Sequence, residues 1–137
     1  MPRFGTPEWA RALHDEINSS SEYRNAGAGW GKEGNGAILL AFEPDGALPQ
    51  GRYLLLRLRE GVSHGVEFVP GPTHPDASFA LRGPFSLWRD ILERRTMAAT
   101  AILTGRLRVE GDRMTLLKHT SAHRALLHCA SSVPTEF

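Results

Sequence analysis

The sequence has a single cysteine, Cys129, so no disulfide can form within the chain. It has no apolar run of membrane-spanning length. Its opening residues, Met1-Pro2-Arg3-Phe4-Gly5, contain no apolar stretch of a secretion signal. Together these absences lead us to expect a cytoplasmic protein. Charge imbalance is missing too: 16 Lys and Arg stand against 15 Asp and Glu, a net charge of +1. That excludes any global attraction to nucleic acid and leaves at most a transient membrane-surface contact. Internal repeats and linkers are absent. The 137 residues, 41% of them hydrophobic, are expected to form one domain over 1–137 with a sizeable core.

Recognisable catalytic patterns are also lacking. The serines have no strand-turn-helix elbow around them. Cys129 has only His128 beside it, and adjacent residues of a helix do not face each other. Asp15-Glu16 fall on the wet face of an amphipathic helix. Gly29-Trp30-Gly31-Lys32-Glu33-Gly34 is a formal G-x-G-x-x-G, but it follows a helix and precedes a strand, the reverse of a dinucleotide site, and reads as a chance match. His119 and His123, four apart, could share a helix face and hold a metal, yet no further ligand is near, and they read as surface histidines. His64, on an otherwise apolar strand face, is either a hydrogen-bonded histidine at a sheet edge or a polar group at the wall of a ligand space. No metal, cofactor or catalytic residue is expected, and the protein is not expected to be an enzyme.

What is present is a marked order of elements. Thr6-Pro7-Glu8 is a helix start, and Trp9, Leu13 and Ile17 follow on one face. Asn18 to Ser21 interrupts and recaps, and Tyr23, Ala26 and Trp30 continue a weaker helical face. After a glycine-rich connection, Gly27–Gly36, three strands form a meander. Ile38, Leu40 and Phe42 alternate along the first, Leu54, Leu56 and Leu58 along the second, and Val62, His64, Val66 and Phe68 along the third, with Gly65 a candidate bulge. The first two strands are apolar on both faces, as central strands are. Residues 70 to 76, PGPTHPD, form a rigid loop.

The organising stretch runs from Ala77 to His119. Ala77, Phe79 and Leu81 alternate in a strand that Gly83-Pro84 ends. Phe85, Trp88, Ile91 and Leu92 share one helix face. Thr96 can cap a short helix carrying Met97, Ala101, Ile102 and Leu103, and Gly105 can close it. Leu107 and Val109 alternate in another strand, Gly111-Asp112 turns the chain, and Met114, Leu116 and Leu117 follow in a helix. A last helix over 120–129 turns Leu126 and Leu127 inward, and residues 131–137 are expected to fray. This is an α+β pattern.

Asp76-Ala77-Ser78-Phe79-Ala80-Leu81, then Phe85-Ser86-Leu87-Trp88, then Leu103-Thr104-Gly105-Arg106-Leu107-Arg108-Val109-Glu110-Gly111-Asp112 resemble, in order and spacing, the sterol carrier protein type-2 domain. The resemblance covers about a third of the chain. It implies a five-stranded, mainly antiparallel sheet with helices packed on one face, enclosing an apolar cavity for a fatty acid, acyl-CoA or sterol-like lipid. The ending Pro134-Thr135-Glu136-Phe137 departs from the Ser-Lys-Leu address of better-known members.

On this reading the protein binds or carries a hydrophobic small molecule without catalysis. The expected wall residues are Leu40, Phe42, Leu56, Phe79, Trp88, Leu92, Met97 and Ile102. Arg57, Arg59, Arg106 and Arg108 alternate with aliphatic residues. They would either attract an anionic headgroup or simply pair with acids on a solvated sheet face. Without aromatic neighbours they form no platform for single-stranded nucleic acid. The alternative is a ligand-free homodimer that buries Leu39 and Leu55 between copies.

Overall fold

The computed structural model describes residues 1–32 and 36–137. Its elements are α1 (Pro7–Ser19), α2 (Ser21–Ala26), β1 (Ala37–Glu43), β2 (Arg52–Arg59), β3 (Val62–Val69), β4 (Phe79–Pro84), α3 (Phe85–Leu92), α4 (Ala98–Leu103), β5 (Arg108–Glu110), α5 (Arg113–Lys118) and α6 (Thr120–Ser132). The strands form one sheet in the order β3-β2-β1-β4-β5.

The sheet is mixed. β1 pairs antiparallel with β2, β2 with β3 and β4 with β5, but β1 and β4 run parallel. The cause is the connection after β3. Residues 70–78 leave the far edge strand, cross β2 and β1, and start β4 on the other side of β1 in the same direction. Parallel neighbours need such a crossover, which here is a proline-rich loop rather than a helix.

Alternation sorts the side chains. Ile38, Leu40, Phe42, Leu54, Leu56, Leu58 and Leu81 point to the helices and join the main core. Ala37, Leu39, Leu55 and Ala80 point the other way into a second, smaller core, which Ala77 of the crossing loop joins with Tyr53 and Val69. Thus β1 is buried on both faces, as its sequence suggests.

Local signals explain the element ends. Thr6 accepts from the Trp9 amide and Ser20 from the Tyr23 amide, each capping a helix. α3 has no cap of its own; Asp45, from the turn after β1, accepts the Ser86 amide at 2.7 Å. That bond, with one from the Ala47 amide, holds the Asp45 carboxyl below the usual carboxylate range. Thr96 does not cap α4; Met97 occupies that position and no side chain bonds the helix end. The β2–β3 hairpin turns on Glu60 and Gly61, both with positive φ, the conformation of a two-residue I′ turn. A Cβ on Gly61 would lie 2.6 Å from the Arg24 carbonyl oxygen, so only glycine fits.

Two local expectations are corrected. The bulge in β3 falls at Ser63-His64, not Gly65. Gly65 pairs with Arg57 and Ser63 with Leu58, leaving His64 as the extra residue. The bulge reverses the alternation, turning Ser63 inward and His64 out to solvent. Residues 131–137 do not fray. Val133 is buried, and the Phe4 amide donates to the Glu136 carbonyl while the Glu136 amide donates to that of Pro2.

Candidate functional site

The inner face of the sheet carries Ile38, Leu40 and Phe42 of β1, Leu54, Leu56 and Leu58 of β2, Val66 and Phe68 of β3, Phe79 and Leu81 of β4, and Val109 of β5. None is charged. Over them lies the helix layer, anchored by Trp88. Its Nε1–H donates to the Ala41 carbonyl at 2.9 Å, and its ring packs on Phe42 with centroids 4.9 Å apart. A buried indole that has satisfied its one donor in this way fixes α3 against β1.

Leu40, Phe42, Leu56, Trp88 and Leu92 therefore share one buried cluster, with Phe79 half-buried at its margin. Met97 and Ile102 do not join them. Met97 is 69% and Ile102 40% exposed. α4 turns Ala98 and Ala101 toward the core instead, so in a helix of six residues the larger side chains fall on the outside. α4 fully buries only Ala101, and α5 buries no residue fully. These two short helices, on either side of β5 in the chain, are the most loosely held part of the layer.

Phe79 sits in a second aromatic group. Trp30 lies 4.9 Å from it and meets the His119 and His123 rings edge-on at 5.3 and 4.7 Å. The two histidines thus pack on one indole rather than lying free on the surface. No cluster of three metal-ligating side chains exists among the described residues. His123 Nε2 is buried without a hydrogen-bond partner. Burial, with His119 nearby, pushes its pKa down to about 4, so the imidazole is neutral at pH 7. Nothing in the local sequence marks His123 as buried. The signal was Trp30, distant in sequence, whose ring needed neighbours.

His64 lines no interior space, since the bulge turns it outward. The buried polar group of β3 is Ser63, whose Oγ lies 2.7 Å from His14 Nδ1. Asn18 accepts the Ser63 amide at 2.8 Å and donates to its carbonyl at 3.0 Å. This Ser-His-Asn group clamps α1 to the sheet edge. Cys129 is buried, which pushes its thiol up and away from the reactive thiolate. Part of the G-x-G-x-x-G pattern, Glu33 and Gly34, lies outside the described residues.

The arginines lie on the outer face or beyond it. Arg57 pairs with Asp76 at 3.0 Å and Glu67 at 3.7 Å, Arg59 with Glu60 at 3.9 Å, and Arg108 with Glu43. Arg82, not singled out from the sequence, pairs with Glu110 at 2.7 Å and donates to the Pro72 carbonyl at 2.6 Å, tying down the crossing loop. The bland alternative, acids on a solvated face, is the one realised for Arg57, Arg59 and Arg108. Leu39 and Leu55, the residues assigned to a dimer interface, are 1% and 0% exposed within the single chain and cannot serve as one.

A family model for the SCP-2 sterol transfer family matches residues 43–123, more than half of the chain. The chain belongs to that family. Among solved structures, a crystal structure of sterol carrier protein 2 superposes with a TM-score of 0.85 at 28% identity, covering 96% of this chain and 99% of that one. A conserved hypothetical protein of Thermus thermophilus, itself described as possibly a sterol carrier protein, gives 0.83 at 27% identity over 98% and 92% of the two chains. Sterol carrier protein 2 of Yarrowia lipolytica in its apo form shares the fold, with a TM-score of 0.56 at 16% identity over 93% and 92%. No curated protein matches the chain significantly. Among the described residues no helix is long and apolar enough to cross a membrane.

Proposed function

We propose that this SCP-2 family member binds and carries a hydrophobic small molecule (a fatty acid, acyl-CoA or sterol-like lipid) between the inner sheet face and the helix layer, without chemical conversion. The observation that carries this reading is the apolar inner sheet face, charged only at its end by Arg52, in a member of that family. Such a face selects for apolar surface, not for a polar constellation, at roughly 25 cal/mol per Å² removed from water.

Leu40, Phe42, Leu56, Phe79, Trp88 and Leu92 supply the wall. Met97, at the cap of α4, and Ile102, within it, flank its entrance. The entrance opens where the layer is weakest, by displacement of α4 and α5, which give up little buried surface when they move. Met97 is unbranched and adapts to ligands of different shape.

Titration with the fluorescent fatty acid cis-parinaric acid tests this. The three tryptophans, Trp9, Trp30 and Trp88, are all buried and donate energy to a probe lodged in the core. Saturable probe emission on excitation of tryptophan is expected, with a changed affinity in Trp88→Phe. No saturable binding, or identical affinity in a folded Trp88→Phe variant, rejects this site.

A further inference from the structure

Seven large apolar side chains are strongly exposed among the described residues, and five of them fall between residues 97 and 117: Met97, Ile102, Leu103, Met114 and Leu117. Leu103 is 87% exposed. Exposed apolar residues scattered singly need no explanation, whereas a concentration on two successive helices of one short stretch of chain points to a contact surface. The helices present these residues because their small or half-buried members, Ala98, Ala101 and Leu116, already face the core. Among the described residues nothing covers the other side.

The charges around this surface have one sign to spare. Residues 97–118 contain Arg106, Arg108, Arg113 and Lys118 against Glu110 and Asp112. Both acids are engaged: Glu110 with Arg82, and Asp112 with the Met114 amide, the Thr115 hydroxyl and the charge of Lys118. Arg108 pairs with Glu43. Arg106 and Arg113 are exposed and form no ion pair within 4 Å among the described residues.

We propose that α4 and α5 form an interfacial docking surface that inserts Met97, Ile102, Leu103, Met114 and Leu117 shallowly into an anionic bilayer, with Arg106 and Arg113 meeting lipid phosphates. Flexible Met and Leu side chains with flanking cations are what an amphipathic element needs to lie in the headgroup region. Helices of six residues present too narrow a stripe for helix-in-groove docking to a protein, which reads anchors over two turns or more. The inference rests on the carrier reading, since the same helices bound the proposed entrance, so docking would place that entrance against the lipid.

The test is co-sedimentation of the full chain with vesicles of equal parts phosphatidylglycerol and phosphatidylcholine, and with phosphatidylcholine alone. Binding to the anionic vesicles is expected, weakening as salt rises from about 0.05 to about 0.5 M. Leu103→Glu/Leu117→Glu and Arg106→Glu/Arg113→Glu should each lower the partition coefficient by at least about tenfold. Both variants alter exposed side chains, so the fold is retained. Their cis-parinaric acid binding, measured without vesicles, should equal that of the unaltered protein. Loss of parinaric acid binding in the unaltered protein would sink the carrier reading while leaving the vesicle result legible. The docking proposal is overturned if the unaltered protein ignores anionic vesicles or if both variants bind them equally well. It is also overturned if sedimentation reveals a dimer that Leu103→Glu/Leu117→Glu dissociates, for then a second copy covers the surface.

Discussion

His123 is the residue least in keeping with its surroundings. Its ring is wedged against Trp30 with a buried, unpartnered Nε2, and burial lowers its pKa from 6.5 to about 4. The unfolded chain therefore takes up a proton near pH 6.5 that the folded protein refuses until about pH 4. In that window the unfolded state binds more protons, so stability falls as pH falls and is fully present above it. Between pH 7 and pH 5 the loss from this group is roughly 2 kcal/mol. Urea unfolding at the two pH values should show that difference in the natural sequence and a shallower one in His123→Gln. Equal pH dependence in both proteins would contradict the assignment. The spacing of His119 and His123 was legible in the sequence, but His119 stands at the junction of α5 and α6 rather than on one helix with His123, and the two rings meet on Trp30. What they touch was not legible, because Trp30 approaches from a distant segment. Trp88 was the opposite case: its helical face already placed it in the core, and only its bond to Ala41 needed coordinates.

Among the elements, β3 departs most from its sequence pattern. Alternation over Val62, His64, Val66 and Phe68 holds for the last two and fails before the bulge, where one extra residue exchanges the two faces. α1 makes that edge strand secure. Asn18 offers its amide to Ser63 as a neighbouring strand would, satisfying one N–H and one C=O that an edge otherwise leaves open. Asn18→Ala should lower stability by about 1–3 kcal/mol, since it strands buried backbone groups, and should speed amide exchange at Ser63. A variant as stable as the parent, with unchanged exchange there, would show the clamp to be idle. Every strand and helix was foreshadowed by periodicity and turn residues, although β1 is buried on both faces and α5 fully buries no residue. The parallel pairing of β1 with β4 was not, since it depends on which way the loop over 70–78 crosses, and nothing in its prolines records that. The ordered tail was missed for a similar reason: Thr135 and Glu136 find partners near the other end of the chain.

The whole molecule has two unlike sides. On the outer face, the crossing loop and paired arginines seal a small core beneath ion pairs, and exposed pairs of this kind contribute little to stability. On the inner face, a sheet that is apolar except for Arg52 at its end is covered by helices of graded attachment, from α3, pinned through Trp88, to α4 and α5, which fully bury only Ala101. On the carrier reading, the weakly held side is where an apolar ligand would enter. The family and the α+β layout could be read from the sequence because they rest on the order of elements. Six of the eight wall residues expected from the sequence gather in or beside the core. Met97 and Ile102 do not, because helical periodicity in six residues cannot tell which face the tertiary fold selects. The measurement that tests the carrier reading most directly is native mass spectrometry of the protein purified without added lipid, followed by denaturing extraction. The prediction is a complex that releases a fatty acid, acyl-CoA or sterol-like mass on denaturation. A bare protein mass that also takes up no added fatty acid would contradict it and leave the inner face as a filled core.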